Sequence, residues 1–311
     1  MRPLRRNVAI AIDGGGIRGA IVARALAILE EHLGGPLIDV VRLTAGTSTG
    51  SILSTGIARG LTGETMHALY QQLASVVFPR TWRSALWPLT TYRYASEPLA
   101  AALKAVVGDG VMGDYWAAQP STDVVITLFD VLENRTRFAK PWKREYAQWP
   151  IVQTVLASSS VPTYYPPVQG RYVDGGVGSY ANPSYLAAYE AYFCLGWDPA
   201  ETTLLSFGTG RAPEGLQPGQ PDRLRAWEWL SPVLGAFMQS ADDQQVRLVR
   251  TFFPSLDFRR FQVPLREAIA MDDTRHMALL TAYGDELGRM VLNDQTDPVV
   301  DEAARRAPRR G

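Results

Sequence analysis

One cysteine, Cys194, in 311 residues leaves no partner for a disulfide within the chain and fits a reducing compartment. It stands in the apolar stretch Tyr192-Phe193-Cys194-Leu195, which reads as packing. Histidine is scarce as well: His32, His67 and His276 share no metal-ligand spacing, so neither a metal nor another cofactor is expected. Neither sign of charge is in excess. The 31 Lys and Arg balance the 31 Asp and Glu, which argues against a nucleic-acid polymer as partner. No apolar run approaches the length of a membrane span. Residues 1–7 carry three arginines and lead into the first strand without an apolar leader, so a cytoplasmic protein is expected. Internal repeats and low-complexity tracts are absent too.

What is present has a globular composition, 46% hydrophobic and 20% charged, and the length suits one large α/β domain or two small ones. Residues 7–12 read as a buried strand. Residues 17–33 read as a helix with Ile21, Ala25, Ile28 and Leu29 on one face, stopped by Gly34-Gly35-Pro36. A strand over 40–45 and a small-residue helix over 51–59 follow. This order predicts a parallel sheet with right-handed crossovers. Further helices are expected over 65–77, 151–158, 183–194, 230–251 and 274–292, and further strands over 123–129, 203–207 and 258–265. Residues 208–232, rich in Gly, Pro and charge, read as a long surface loop. The stretch 78–94 mixes Trp82, Trp87, Tyr92 and Tyr94 with Arg80, Arg83 and Arg93. That mixture suits a lipid headgroup layer, and equally a loop with ordinary aromatic anchors.

Two glycine motifs close together carry the chemistry. Gly46-Thr47-Ser48-Thr49-Gly50 follows a strand and precedes a helix. In that setting a serine sits on a sharp turn, its hydroxyl is pushed out at a helix N-terminus, and the flanking Gly46 and Gly50 keep side chains out of the way. The other motif is Asp13-Gly14-Gly15-Gly16-Ile17-Arg18-Gly19, also after a strand. Its backbone N–H groups at Gly14, Gly15 and Gly16 suit a developing oxyanion, with Arg18 adding charge or, preferably, bracing the loop. Gly14, Gly16 and Gly19 also match the dinucleotide fingerprint, which asks for an acid about 20 residues on, at the end of the next strand. Asp39 stands at that distance but begins that strand. A dinucleotide-binding protein therefore has to treat the serine motif as accidental.

A serine nucleophile needs a proton acceptor. His67 and His276 follow Ser48 but lie in helix-like segments. Asp174 leaves the strand end Tyr172-Val173, and Gly175-Gly176 let the backbone turn tightly around it. Burial would raise its pKa toward a useful value. An ordinary Asp-Gly turn is the competing reading.

Asp-Gly-Gly-Gly-Ile-Arg-Gly, Gly-Thr-Ser-Thr-Gly and Asp-Gly-Gly, in that order, resemble the patatin-like phospholipases. Two secondary stretches are similar as well: residues 157–167 (Ala-Ser-Ser-Ser-Val-Pro-Thr-Tyr-Tyr-Pro-Pro) and 205–210 (Leu-Ser-Phe-Gly-Thr-Gly). The resemblance covers about 7–210. It implies a three-layer α/β/α fold with a mainly parallel central sheet. It also implies a single catalytic domain over 7–292, motif-bearing in 7–210 and helical in 211–292, with a flexible tail over 293–311. By position, Ser48 becomes the nucleophile, Asp174 the base, and Gly14, Gly15 and Gly16 with Arg18 the oxyanion site, without a metal. The implied activity is hydrolysis of acyl-lipid esters at a membrane interface, with peripheral association during catalysis. Some relatives are effectors held inactive until a small signal such as a cyclic nucleotide binds. Ser51 stands where many relatives have another glycine. A catalytically silent scaffold is the remaining alternative, and oligomeric state is left open.

Overall fold

The computed structural model describes residues 1–79, 91–118, 121–213, 216, 219–225 and 230–297. The middle of the aromatic stretch, 80–90, and the end of the tail, from 298 on, lie outside the described residues. The strands are β1 (Asn7–Ile12), β2 (Leu43–Gly46), β3 (Asp123–Asp130), β4 (Arg135–Ala139), β5 (Tyr172–Asp174), β6 (Thr202–Phe207) and β7 (Asp257–Phe261). The longer helices are α1 (Gly19–Leu33), α2 (Thr49–Ala58), α3 (Gly63–Val77), α4 (Glu97–Val107), α5 (Ile151–Ser159), α6 (Ser184–Tyr189), α7 (Leu230–Phe252) and α8 (Met277–Leu292).

One sheet collects all seven strands in the order β4-β3-β2-β1-β6-β7, with β5 paired to β3. From β3 to β7 the neighbours are parallel, and β4 and β5 are antiparallel to β3. Both faces of the parallel strands are covered, which is why they read as apolar runs instead of alternating ones. Ile10, Ile12, Leu205 and Phe207 pack on one face against Ile21 and Leu26 of α1 and Leu280 and Leu287 of α8. Val124, Ile126 and Leu128 meet Leu103 of α4 and Val155 of α5. On the other face Ala9, Ala11, Ala45 and Val125 meet Leu186 and Ala187 of α6 and Val249 of α7. The fold is therefore the expected three-layer α/β/α arrangement. β7 and α8, from the part of the chain without sequence motifs, complete this same sheet and its helical cover.

Local chemistry explains most boundaries. Gly34 ends α1 in the left-handed conformation, φ 75°, its N–H returning to Glu30 O at 2.9 Å. Thr62 caps α3 by accepting from Thr65 N at 3.2 Å. Three expectations need correction. The second strand starts at Leu43, not at residue 40, because the N–H groups of Asp39, Val40 and Val41 turn back to Pro36 O and Leu37 O in a short 3₁₀ turn. The helix expected over 183–194 is helical to Cys194 but not α throughout: after Ser184–Tyr189 it widens into a π-helical turn, Glu190–Cys194, where Glu190 pairs with Lys140. Cys194 is consequently exposed and is not a packing residue.

A buried ion cluster ties the sheet together beneath the loop that follows β1. Arg260 of β7 is fully buried. Its guanidinium donates to Asp13 Oδ1 at 2.8 Å, Ser206 Oγ at 2.9 Å and Asp242 Oδ1 of α7 at 3.0 Å. Desolvation works against the cation, but attraction from Asp13 and Asp242 outweighs it and holds the guanidinium above its ordinary pKa. Removing the cation leaves the buried Asp13 carboxyl without its ion-pair partner and beside Asp242. Arg260→Met is therefore expected to lower the unfolding free energy by about 3–5 kcal/mol. A urea titration reads this as a shifted midpoint, and Arg260→Lys, lacking the planar fork, recovers only part of it.

Candidate active site

Ser48 occupies the turn between β2 and α2 with φ 54° and ψ −125°, a left-handed conformation that a residue with a Cβ adopts only under constraint. The constraint is close backbone packing on both sides. A Cβ at Gly46 would lie 2.2 Å from Gly50 O, and one at Gly50 would lie 2.1 Å from Ile12 O. Strand end, helix start and the neighbouring strand meet there without room for a methyl group. The Ser48 N–H donates to Ser158 Oγ at 2.9 Å. Ser51, where the resemblance leads to an expectation of glycine, turns its hydroxyl back onto Ser48 O at 2.6 Å, so the larger residue fits by bonding within the turn.

Asp174 arrives from an unexpected direction. Its strand is not one of the parallel ones: β5 runs antiparallel to β3 and meets β2 end to end. Gly46 pairs with Ile126 and Asp174 with Leu128, two residues further along β3. Two residues are about 7 Å of strand. The carboxyl-terminal ends of β2 and β5 thus converge, and Ser48 and Asp174 share one edge. Asp174 Oδ1 accepts from Gly176 N at 2.8 Å, and its own N–H donates to Ser160 O at 3.0 Å. Burial pushes the carboxyl up to about 6, against the pull of the nearby Ser48 hydroxyl and the Gly176 N–H. The contact with Ser48 is not a well-formed hydrogen bond, since Asp174 Oδ2 is buried without a partner. Hydrogen bonds of this kind are often incomplete before substrate arrives.

The glycine loop differs from expectation in one respect. The Gly14 N–H donates to Ala181 O at 2.9 Å and is not available to an oxyanion. Gly14 instead brings the loop against Ser48, since a Cβ there would lie 3.3 Å from Ser48 Cβ. Among the described residues the N–H groups of Gly15 and Gly16 have no acceptor. Gly16 needs its glycine: φ is +59° and a Cβ would lie 2.3 Å from Met271 O. Arg18 is a brace, with Nε on Gly15 O and Nη1 on Gly210 O, both at 3.4 Å. Sequence reasoning missed the residues that hold this loop from outside, namely Arg260, Met271 and Thr209, whose hydroxyl donates to Gly14 O at 2.7 Å. Only a strand-like run and a Gly-Thr-Gly turn marked their surroundings.

The alternative residues lie elsewhere. His67 Nε2 contacts Thr281 Oγ1 at 3.1 Å, and His276 faces Asp273 at 3.2 Å. Asp39 is exposed in the turn before β2, at the opposite sheet edge from the glycine loop, so the end of β2 offers Ser48 where a ribose-binding acid would stand. Beside Ser48 and Gly16 opens a cavity of about 880 Å³, counting its mouth, between α2, α3 and α4. Its walls are apolar: Ile17, Leu53, Leu69, Leu103 and Val106 among others. Thr49 and Tyr70 on this wall satisfy each other by a hydrogen bond, whereas the Ser159 hydroxyl is buried without a partner.

Residues 10–187 match the family model described as patatin-like phospholipase. The chain belongs to that family. Among curated proteins, the patatin-like chain is 26% identical to an intracellular phospholipase A2 of Caenorhabditis elegans over 94% of its own length but 30% of the relative's. It is 25% identical to a cGAMP-activated phospholipase of Vibrio cholerae, covering 78% of this chain and 77% of the relative. Patatin-17 of Solanum cardiophyllum is 24% identical, covering 96% and 87%. The patatin-like chain thus spans less than a third of the nematode enzyme and most of the other two.

A reaction that uses the Asp174 carboxylate as proton acceptor loses rate as that group is protonated. kcat/KM is therefore expected to rise about tenfold per pH unit below pH 6 and to level off above it. The stability effect has the opposite slope. Folded Asp174 keeps its proton to about 6, beyond the range in which an unfolded aspartate has released it, so stability falls as pH rises across that window. Rate profiles and urea midpoints on wild type and Asp174→Asn check both, the variant lacking the Asp174 contribution to each slope.

Proposed function

We propose that this protein hydrolyses fatty-acyl esters of membrane lipids through a Ser48–Asp174 dyad. The observation that carries the reading is the buried, unpartnered Asp174 carboxylate oxygen beside a strained serine that lines an apolar cavity. A carboxylate with an empty hydrogen-bonding site, in a low-dielectric setting and with a raised pKa, is a proton acceptor waiting for a proton. Family membership and the phospholipase names of the relatives support the substrate class.

In this mechanism Asp174 takes the proton of Ser48 Oγ as Oγ bonds to the ester carbonyl carbon. The carbonyl oxygen becomes an oxyanion, held by the N–H groups of Gly15 and Gly16 and by the positive end of α2. The carbonyl re-forms, the bond to the alkoxy oxygen breaks, and the leaving alcohol takes the proton from Asp174. Water then gives its proton to Asp174 and attacks the acyl-serine. The fatty acid leaves, and Ser48 recovers its proton. The apolar cavity receives the acyl chain, so the polar head remains outside at the interface. No helix among the described residues is long and apolar enough to cross a membrane. Activation by a small molecule is stated in the name of the Vibrio relative and forms one arm of the test.

Fatty-acid release from mixed phospholipid vesicles, with and without cyclic GMP-AMP, tests the proposal on wild type, Ser48→Ala and Asp174→Ala of matched melting temperature. Ser48→Ala is expected to release nothing, and Asp174→Ala to lose about 10²–10⁴-fold. A fluorophosphonate should label wild type and not Ser48→Ala. Full activity in Ser48→Ala would sink the dyad. Tight dinucleotide binding indifferent to Ser48, with no release under either condition, would favour the nucleotide-binding alternative.

A further inference from the structure

The segment between β7 and α8 touches both parts of the site. Met271 O accepts from Ile17 N at 2.8 Å, and Met271 fills the space in front of Gly16. The next residue, Asp272, has a side chain only 10% exposed and is gripped from the other side. It accepts from Arg93 Nη1 and from Tyr94 OH, the latter at 2.7 Å. Arg93 and Tyr94 in turn donate their N–H groups to Thr163 O and Tyr164 O, each at 2.8 Å. The Arg93 guanidinium lies over the Tyr164 ring, and the Tyr94 ring packs against Phe78, Tyr164 and Tyr165. Phe78, Tyr164 and Tyr165 are the aromatic wall of the acyl cavity, and Met271 also lines it. One carboxylate therefore joins that wall to the backbone that shapes the Gly15–Gly16 turn.

We propose that Asp272 is a positioning residue for acyl transfer, which links occupancy of the cavity by a long acyl chain to alignment of the oxyanion donors. The inference rests on the dyad reading above. A chain that fills the cavity presses on Tyr164, Tyr165 and Phe78. Through Asp272 this pressure holds Met271 against Gly16. A short acyl group leaves the wall empty and gains nothing from the link. Asp272 thus acts on kcat through chain length and not on binding alone, because a loop displaced by a fraction of an ångström loses transition-state contacts before it loses substrate.

The test compares acetyl and palmitoyl esters of one alcohol on wild type, Asp272→Ala, Asp272→Glu and Tyr94→Phe. The ratio of kcat for palmitoyl to kcat for acetyl is expected to fall roughly tenfold in Asp272→Ala, with KM for the palmitoyl ester changed less than about twofold. Asp272→Glu, which keeps the charge, should recover part of the ratio. Tyr94→Phe removes one hydrogen bond and keeps the ring, so it should lose less than Asp272→Ala in the same direction. It also keeps the test open should Asp272→Ala fail to fold. An unchanged ratio, an equal loss of kcat on both esters, or a rise in KM with kcat intact would overturn the link. Fluorophosphonate labelling of wild-type Ser48 separates the two readings. Labelled wild type with an unchanged ratio in both Asp272→Ala and Tyr94→Phe overturns only this inference, whereas unlabelled, inactive wild type overturns the dyad and this inference with it.

Discussion

The sheet edge that carries Ser48 and the glycine loop depends on a buried cation. The two N–H groups free to face an oxyanion lie on a loop that leaves the sheet directly after β1, where the ladder ends with Asp13 N on Phe207 O at 3.0 Å. Arg260 supplies the next anchor. It fixes Asp13, the residue that starts the loop, and ties it to Asp242 of α7 and Ser206 of β6. Taking these charges out of water costs several kcal/mol per ion before attraction and hydrogen bonds offset it. Such a cluster is poor at adding stability and good at fixing geometry. Gly14 N on Ala181 O and Thr209 Oγ1 on Gly14 O then settle the loop's remaining orientation.

A second constraint is the distribution of unsatisfied groups. Nearly every polar atom near Ser48 is engaged: its N–H by Ser158, its carbonyl by the Ser51 hydroxyl, Thr49 by Tyr70. The exceptions include Ser159 Oγ on the cavity wall, Asp174 Oδ2 and the Gly15 and Gly16 N–H groups. Unpaired buried groups cost free energy, so a fold keeps few of them. The last three coincide with the places where a hydroxyl proton and a tetrahedral oxyanion would sit in acyl transfer. The strain stored at Ser48 belongs with them, since a relaxed serine would point its hydroxyl elsewhere.

How much of this the sequence disclosed follows the range of the interactions. The turn at Ser48 was legible because its cause is local: small residues between an apolar strand and a helix. Asp174 was legible as an aspartate before two glycines at a strand end, but the antiparallel course of β5 was not, because pairing partners leave no mark on three residues. Gly14 was misassigned for the same reason. Whether its N–H is free depends on Ala181, a residue from a distant segment. β4 did carry a signal, the alternation of Arg135 and Arg137 with Thr136 and Phe138, though charged residues at alternate positions disguised it. Cys194 was misread because its apolar neighbours Tyr192 and Phe193 are themselves exposed. Arg260 and Met271 act through contacts with the first loop, and nothing in their own neighbourhood announces that.

The separation of Asp13 from Arg260 by 247 positions bears on how the protein comes into being. Ribosomes deliver chains from the N-terminus, and early segments begin to collapse before late ones exist. Glycine loop and serine turn emerge first, Asp174 well afterwards, and the anchor under the loop only when β7 has been made. A chain made only as far as β2 therefore holds Ser48 without Asp174, and one made as far as β5 holds both beside a loop that Arg260 does not yet anchor. The order of these parts along the chain means that the loop after β1 gains its ionic anchor last, only when β7 has joined the sheet.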